Sequence, residues 1–308
     1  LTKNCNADCI YCSSWVDEDA GRMQLEDVMK SLEFLVSFIQ PITNIDFKHV
    51  TIQYVGGEIL TYPPQELFEI VTNVRNFFNK RNISFHDGVQ TNLLGPPDRI
   101  DNILNLFGSS ISTSFDSFSK KRTFRGCSDK YRQMTSTGIK RIEGNLGHSV
   151  SGVFTLDDRS SSKNAVNEYK IANDNRAGFT IRPVFIGGKD IELLSMSDLT
   201  DVMNRVFDSW FLKGVIKVEP FYSMLVRTLN PDNKTCKGCH FQSDCASRSL
   251  NIDPNGDLYV CYDMADGGHC LLGNAIEEHF DIAVWSSLNS RQTALPEDCK
   301  VCPYLSAC

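Results

Sequence analysis

The chain has 308 residues, of which 41% are hydrophobic and 22% are charged, so it can bury the core of one large domain or of two unequal ones. Its net charge of -7 and its lack of a sustained basic run argue against nucleic acid or an anionic membrane surface as the partner. No apolar stretch approaches the roughly 20 residues of a membrane span, and no signal peptide precedes the first cysteine, so we expect a cytoplasmic protein.

Segments with helical and strand periodicity alternate through the middle of the chain. Residues 25–39 carry a helical stripe of apolar side chains, and residues 49–55 are a β-branched and aromatic run that ends at two glycines. The same patterns predict helices at 64–78, 98–107, 128–142, 163–173 and 197–213, and strands at 83–90, 109–115, 149–156 and 179–186. This alternation predicts an α/β fold with a parallel sheet, which is either an open sheet or a full or partial barrel.

Several polar and glycine-containing stretches fall at the ends of these predicted strands. They are GGE at 56–58, QTN at 90–92 and SFDS at 114–117. Ligands of parallel α/β folds bind at the carboxyl ends of the strands. We therefore expect these stretches and the cysteines that open the chain to meet at one site.

The twelve cysteines are distributed unevenly. Three lie within the first twelve residues, Cys127 stands alone, and eight fall between 236 and 308. Stable disulfides are rare in reducing compartments and are typical of short secreted chains, so we expect metal or cluster ligation instead. We expect Cys127 to be a buried small hydrophobic residue, as unpaired cysteines often are.

The first three cysteines, Cys5, Cys9 and Cys12, have the spacing Cys-x3-Cys-x2-Cys, with Tyr11 before the last one and GGE about 45 residues later. This combination resembles the radical S-adenosylmethionine (radical SAM) superfamily. The resemblance implies a partial (β/α)6 TIM-like barrel over 1–225 and a [4Fe-4S] cluster in which three cysteines each hold one iron. The fourth iron then binds the methionine moiety of S-adenosylmethionine. A zinc site is the alternative for such cysteines, but zinc takes four ligands, and no histidine is nearer than His49.

The chemistry that this resemblance implies begins when an electron from the cluster cleaves S-adenosylmethionine. The 5'-deoxyadenosyl radical that results abstracts a hydrogen atom from the substrate, so the cofactor supplies the reactivity and the protein supplies position. A reductant such as flavodoxin or ferredoxin is implied as a partner. In this family Gly56 and Gly57 permit close backbone approach, and Glu58 accepts a hydrogen bond from the amino group of the cofactor. A strand-ending turn with a solvated glutamate is the alternative.

Other residues resemble the family less closely. Ser112, Ser114 and Asp116 resemble a polar SxDG pattern that approaches the ribose or carboxylate of the cofactor, with Ser117 in place of the glycine. Arg125 resembles an arginine that pairs with the cofactor carboxylate, since a guanidinium fits that group, although a surface arginine is the alternative. The stretch Gln90, Thr91 and Asn92 resembles QTNG and is expected to line the substrate side; a polar strand end is the alternative.

The C-terminal cysteines resemble the SPASM extension of the same superfamily, which holds two auxiliary [4Fe-4S] clusters. The resemblance covers 226–308 and implies two ligand sets: Cys239, Cys245 and Cys261 for the first cluster, and Cys299, Cys302 and Cys308 for the second. The family pattern continues past Cys308, so we expect that the chain is trimmed at its ends; an open cluster, or recruitment of Cys236 or Cys270, is the alternative. A zinc-ribbon binding protein is the non-enzymatic alternative, because CKGC and CKVC are also zinc spacings.

SPASM proteins mostly modify peptides or proteins. The sequence therefore predicts a maturase of a ribosomally made peptide that forms an oxidative crosslink at an unactivated C–H bond. A sulfatase-type formylglycine maturase and a small-molecule radical SAM dehydrogenase are the alternatives, the first weakened because Tyr262, rather than an acid, follows Cys261. Crosslinking by oxidation also releases a proton, and Asp263, a partly desolvated carboxylate expected between the two domains, is the predicted catalytic base. The alternative is that Asp263 is an exposed loop aspartate and that Asp116 or a group of the substrate serves as the base.

Overall fold

The computed structural model describes residues 1–12, 21–45, 47–114, 117–156, 159–184, 194–230, 245–290, 295–303 and 305. Its larger part is a six-stranded sheet whose strands are all parallel and run in the chain order β1 to β6. The strands are β1 His49–Tyr54, β2 Ser84–Thr91, β3 Ile111–Thr113, β4 Ser151–Leu156, β5 Phe179–Pro183 and β6 Val218–Glu219. The predicted parallel α/β fold is confirmed, and the sheet forms a partial TIM-like barrel.

Helices connect the strands, as the alternating periodicity predicts. They are α1 Leu25–Phe34, α2 Gln40–Thr43, α3 Pro64–Lys80, α4 Pro97–Phe107, α5 Ser128–Leu146, α6 Arg159–Asp174, α7 Met196–Trp210 and α8 Phe221–Leu229. Prolines at the start of α3 and α4 suit positions where a backbone N–H has no helical partner. The predicted helix at 25–39 is confirmed, but its second half, Leu35–Ile39, is π-helical.

Two buried clusters lie under the sheet. The first joins α3 and α4 to β1 and β2 through residues such as Val71, Val74 and Val89, and the second joins α6 and α7 to β4 and β5 through Phe154, Ile181 and Val206. Each fully buried aliphatic side chain contributes about 2 kcal/mol relative to an exposed one. These clusters hold the carboxyl ends of the strands at one edge of the sheet.

The C-terminal part has a separate antiparallel sheet in the order β10-β9-β8-β7. Its elements are β7 Asn251–Ile252, β8 Asp257–Tyr259, α9 Tyr262–Asp266, β9 Gly273–Asn274, β10 His279–Phe280, α10 Ile282–Asn289 and α11 Glu297–Lys300. Its buried residues Leu258, Val260 and Leu272 form one cluster with Phe34 and Ile39 of the first helical segment. The predicted domain boundary between 225 and 226 falls within α8, and it stays a prediction.

None of the helices that the structure describes is both long and apolar enough to cross a membrane.

Candidate functional site

The three N-terminal cysteines lie beside the loops that follow the first three strands. Glu58 follows β1, Asn92 follows β2 and Ser114 follows β3, and because these strands are parallel their carboxyl ends share one edge. Asn92 reaches the cysteine segment directly, since its side-chain Nδ2 lies 3.8 Å from Sγ of Cys5 and 2.8 Å from Oδ1 of Asn6. The structure thus brings together the motifs that the sequence placed at strand ends.

The glycine pair packs against the chain that leads into Cys5. The Gly57 N–H donates to the carbonyl of Thr2 over 2.7 Å, and the Glu58 N–H donates to the carbonyl of Asn4 over 2.8 Å. A Cβ at Gly57 would lie 2.3 Å from that Asn4 oxygen, a distance that real Cβ atoms do not reach. Gly56 has a φ of +144° and is equally close to Thr2. The two glycines therefore allow the cysteine segment to dock on the end of β1.

Glu58 is 2% exposed, and its carboxylate accepts hydrogen bonds from its own chain. Oε1 accepts from the Thr91 hydroxyl over 2.6 Å and from the Leu60 N–H over 2.9 Å, and Oε2 accepts from the Asn92 N–H over 2.6 Å. Burial raises the pKa of Glu58, although these hydrogen bonds oppose the shift. Glu58 thereby fastens the end of β2 to the end of β1, besides the cofactor role that the sequence predicts.

The cysteine thiols lie close enough to interact electrostatically. Burial raises the pKa of Cys5 strongly, the charge of Glu58 adds to this shift, and charges on Cys9 and Cys12 raise it further. The Cys12 N–H donates to the Cys9 carbonyl over 3.1 Å, which closes a turn between them. A desolvated thiol with raised pKa becomes a thiolate readily only when a metal neutralises it.

The donor set, three thiols within one loop, has the chemistry of iron–sulfur cluster ligands. Within the described ranges, no three histidine, cysteine or acidic side chains lie together as the ligands of one metal ion would. In a cluster each thiolate binds a different iron, so its cysteines stand further apart than the ligands of one zinc. Cys5, Cys9 and Cys12 are half-buried, which agrees with ligation of a group at a protein surface cleft.

A second segment runs along the cysteine loop and holds it. The Asp8 N–H donates to the Thr123 carbonyl over 2.8 Å, and the Ile10 N–H donates to the Lys121 carbonyl over 3.0 Å. The hydroxyl of Thr123 donates back to the carbonyl of Asp8 over 2.9 Å. This pairing places Arg122, which is 6% exposed, with its guanidinium 5.2 Å from the ring of Tyr11.

Arg125, the arginine that the sequence singled out, lies in the same segment but is exposed. It has a left-handed φ of 52° in the turn from Phe124 to Cys127, and its guanidinium lies 5.4 Å from the ring of Phe124. Its pairing with a cofactor carboxylate stays a prediction. Cys127 was expected to be buried and is exposed, because it ends this tight turn at the surface before α5 begins.

The polar residues of β2 and β3 bind one another. The hydroxyl of Ser112 donates to Oε1 of Gln90 over 2.5 Å, and Nε2 of Gln90 donates to Oγ of Ser114 over 2.8 Å. The side chain of Thr91 faces Glu58, as described above. Gln90, Thr91 and Asn92 thus all contact other predicted site residues, while Asp116 lies outside the described residues.

Glu168 of α6 is a site residue that the sequence analysis missed. It is 5% exposed, accepts from the backbone N–H of Phe118 over 3.1 Å, and is also bonded by the backbone N–H of Ser117. The Ser117 hydroxyl, which stands where the family pattern has glycine, lies 3.2 Å from Oε2 of the same carboxylate. A glutamate in the middle of a polar helix gives no local signal of such a contact.

The predicted auxiliary ligands are described only in part. Cys245 begins a 3-10 turn, Cys261 precedes α9, and Cys299 and Cys302 lie in and just after α11; all four are half-buried. Two further predicted ligands, Cys239 and Cys308, and the alternative ligand Cys236 lie outside the described residues. Cys270, the alternative ligand, is exposed.

Two ion pairs connect the C-terminal part to the sheet. Nζ of Lys3 lies 2.7 Å from Oδ2 of Asp253, and both side chains are largely buried. Asp263, the predicted base, is paired with Arg182 at the carboxyl end of β5. The side chains of this second pair are 42% and 44% exposed, so Asp263 lies between the two parts of the chain, as predicted, but is half-exposed and salt-bridged.

A cavity of about 230 Å³ lies beside the start of the chain, at residues 1–3. Its walls come from α1, β1 and the segment at 250–254, and they are mostly apolar. None of the three N-terminal cysteines lines it.

Comparisons with known proteins give the same fold. No family model and no curated protein matches the chain. Among solved structures, anSMEcpe, an anaerobic sulfatase-maturating enzyme with bound AdoMet and Cp18Cys peptide, is similar with a TM-score of 0.74 and 18% identity over 100% of this chain and 85% of that one. SuiB from Streptococcus suis, bound to S-adenosylmethionine, is similar with a TM-score of 0.59 and 14% identity over 100% of this chain and 68% of that one.

The similarity to anSMEcpe extends over the sheet and the C-terminal part alike, since the whole of this chain is covered. The arrangement of parallel strands and covering helices is thus similar in these structures. The chain therefore shares the partial-barrel fold of these two structures.

Proposed function

We propose that this chain is a radical SAM enzyme that modifies a peptide. The observation that carries the proposal is the meeting of Cys5, Cys9 and Cys12 with the GGE loop at the carboxyl edge of the sheet. The similar fold of anSMEcpe, which was solved with AdoMet and a peptide, supports this reading. A [4Fe-4S] cluster with S-adenosylmethionine would, when bound, supply reductive cleavage of S-adenosylmethionine to a radical that takes a hydrogen atom from the substrate.

The chain's own residues would bind and orient that group. The three thiolates would hold three irons of one [4Fe-4S] cluster, in keeping with the cysteine ligation of such clusters. The loops after β1 to β3 would line the S-adenosylmethionine, with Glu58, Ser112, Ser114, Asp116 and Arg125 as its proposed contacts. Gln90 and Asn92 would face the substrate, and a flavodoxin or ferredoxin would provide the electron.

The finer function that we propose is an oxidative crosslink in a ribosomally made peptide. The auxiliary cysteines and the similar fold of SuiB, a radical SAM enzyme of ribosomally made peptides, support the choice of a peptide substrate. The test is anaerobic incubation with peptides encoded near the gene, followed by mass spectrometry. A loss of two hydrogens from one peptide is expected, in a product that carries no aldehyde and does not react with a hydrazine reagent. Conversion of a cysteine or serine to formylglycine would instead support the second candidate, a formylglycine maturase, which the higher TM-score to anSMEcpe favours.

We expect the purified chain to bind about twelve irons, because one N-terminal and two C-terminal cubanes of four irons each match the three cysteine sets. Iron, sulfide and zinc analysis of anaerobically purified protein measures this number. Replacement of Cys299 and Cys302 by alanine should remove about four irons and leave the N-terminal cluster intact. Four irons with stoichiometric zinc would show that the C-terminal part is a zinc ribbon.

We also expect Asp263→Asn to separate cofactor cleavage from product formation. If Asp263 accepts the proton that the substrate loses, product should fall by about 10²-fold while 5'-deoxyadenosine continues to form. Two controls are matched to this variant: Arg182→Gln breaks the same ion pair but keeps the carboxylate, and Glu277→Gln removes an exposed carboxylate of the same part. Product formation by Asp263→Asn at the wild-type rate would exclude this base.

A further inference from the structure

The three-cysteine segment has little regular structure of its own. Among residues 1–12, the described backbone includes only an isolated bridge at Thr2 and short turns. A loop of this kind keeps one conformation only when neighbouring segments hold it. The glycine pair holds its start at 2–4, and the segment at 121–126 holds its later part, where Cys9 and Cys12 lie.

Arg122 connects this loop to two elements of the barrel. Its NH2 group donates to the hydroxyl of Thr155, in β4, over 2.9 Å. Its guanidinium lies 5.2 Å from the ring of Tyr11, and its charge opposes the burial that raises the pKa of Tyr131, in α5. At 6% exposure the side chain is removed from solvent, so these contacts are stronger than they would be at a surface.

The neighbours of Arg122 belong to the site. Tyr11 is adjacent to Cys12, and Tyr131 is fully buried in a cluster that includes Ala7, with Cys5 and Cys9 packed against it. The Tyr131 hydroxyl in turn donates to the carbonyl of Ser114 over 3.2 Å. Arg122 therefore lies beside Tyr11 of the cysteine loop on one side. On the other side it lies near Tyr131, which bonds to Ser114 at the end of β3.

Only an arginine makes these contacts together. The guanidinium carbon lies 5.2 Å from the centroid of the Tyr11 ring while an N–H group of the same guanidinium donates to the Thr155 hydroxyl, and a planar fork of donors can make both contacts. A lysine keeps the charge but has a single tetrahedral ammonium, which cannot stack and donate in this arrangement. We infer that Arg122 is a positioning residue that fixes the orientation of Tyr11 and of the cysteine loop, and thereby the S-adenosylmethionine site beside the cluster.

This inference rests on the proposed function, and the experiment separates the two. Arg122→Lys and Arg122→Gln are compared with the wild type and with Lys120→Gln, which removes an exposed positive charge two residues away. The first readout is the iron content of the anaerobic protein. The second is the dissociation constant of S-adenosylmethionine, measured from the change in the electron paramagnetic resonance spectrum of the reduced N-terminal cluster.

We expect Arg122→Lys to keep its iron and to bind S-adenosylmethionine about 10-fold or more weakly, because the loss of hydrogen bonds from a charged donor is worth at least that factor. Arg122→Gln should be at least as impaired, and Lys120→Gln should match the wild type. Wild-type affinity and an unchanged spectrum in Arg122→Lys would overturn the inference. Absence of S-adenosylmethionine binding in the wild type itself would instead overturn the proposed function.

Thr155→Val keeps the inference testable if the Arg122 variants fail to fold. This change preserves the shape of the side chain and removes only the hydroxyl that accepts from Arg122. We expect it to weaken S-adenosylmethionine binding several-fold with full iron content. Because Thr155 is in β4 and has no contact of its own with the cysteine loop among the described residues, an unchanged affinity would contradict the role of Arg122.

Discussion

Replacement of Cys9 by alanine is expected to abolish formation of 5'-deoxyadenosine. Three thiolates must hold three irons for the fourth iron to stay open to S-adenosylmethionine. The loss of one thiolate is therefore expected to abolish the cofactor site completely. Cys9 also packs against the buried cluster that contains Ala7, Leu94 and Tyr131, but a cysteine-to-alanine change preserves most of that contact. Chromatography of the products after anaerobic reduction with dithionite measures the effect.

The control for this change is Cys127→Ala, because Cys127 is exposed and belongs to none of the three predicted ligand sets. It should retain the wild-type iron content and rate. Cys9→Ala should lose about four irons while the C-terminal clusters persist. Cofactor cleavage at the wild-type rate by Cys9→Ala would falsify the assignment of the N-terminal cluster.

Replacement of Gly57 by alanine is expected to be strongly destabilising. The new Cβ would lie 2.3 Å from the carbonyl oxygens of both Lys3 and Asn4, which are backbone atoms that cannot swing aside. Overpacking of this kind typically costs about 1–3 kcal/mol, and we expect the upper end of that range in the free energy of unfolding. The segment that leads into Cys5 should be displaced, so iron in the N-terminal cluster should also fall.

Gly144→Ala in α5 is the matched control for this change. A Cβ at Gly144 meets no atom within 4 Å, and alanine is favoured over glycine in a helix, so stability should be unchanged or slightly higher. Urea denaturation under anaerobic conditions compares the two variants. Equal stability of Gly57→Ala and the wild type would show that the N-terminal segment does not dock on β1 as described.

The regular elements of the barrel were predictable because they depend on local periodicity. Each predicted strand and helix from 25 to 213 is present, with ends that differ by a few residues. Helical and strand periods are properties of neighbouring side chains, so a single sequence suffices to find them. The alternation of strands and helices then predicts parallel pairing of the strands. Parallel pairing correctly predicts that the loops at 56–58 and 90–92 lie at the edge of the sheet where the N-terminal cysteines are.

The partners of individual polar side chains were not predictable, because they join residues far apart in the chain. Asp263 follows Cys261 as the sequence shows, but its ion pair with Arg182 spans 81 positions. Glu168 reaches Ser117 across 51 positions from a helix whose local sequence is unremarkable. Such contacts depend on how helices pack on the sheet, and one sequence contains no record of that packing.

The sequence by itself determined the class of site, and the tertiary structure decided which groups support it. The spacing of Cys5, Cys9 and Cys12 specifies three close thiols because it lies within one short loop. The choice between Arg122 and Arg125 needed the fold: the two arginines are three residues apart in one segment, yet only Arg122 is buried beside Tyr11. The physical reason is that the left-handed turn at Arg125 directs that residue to solvent, while the pairing of 121–123 with the cysteine loop buries Arg122.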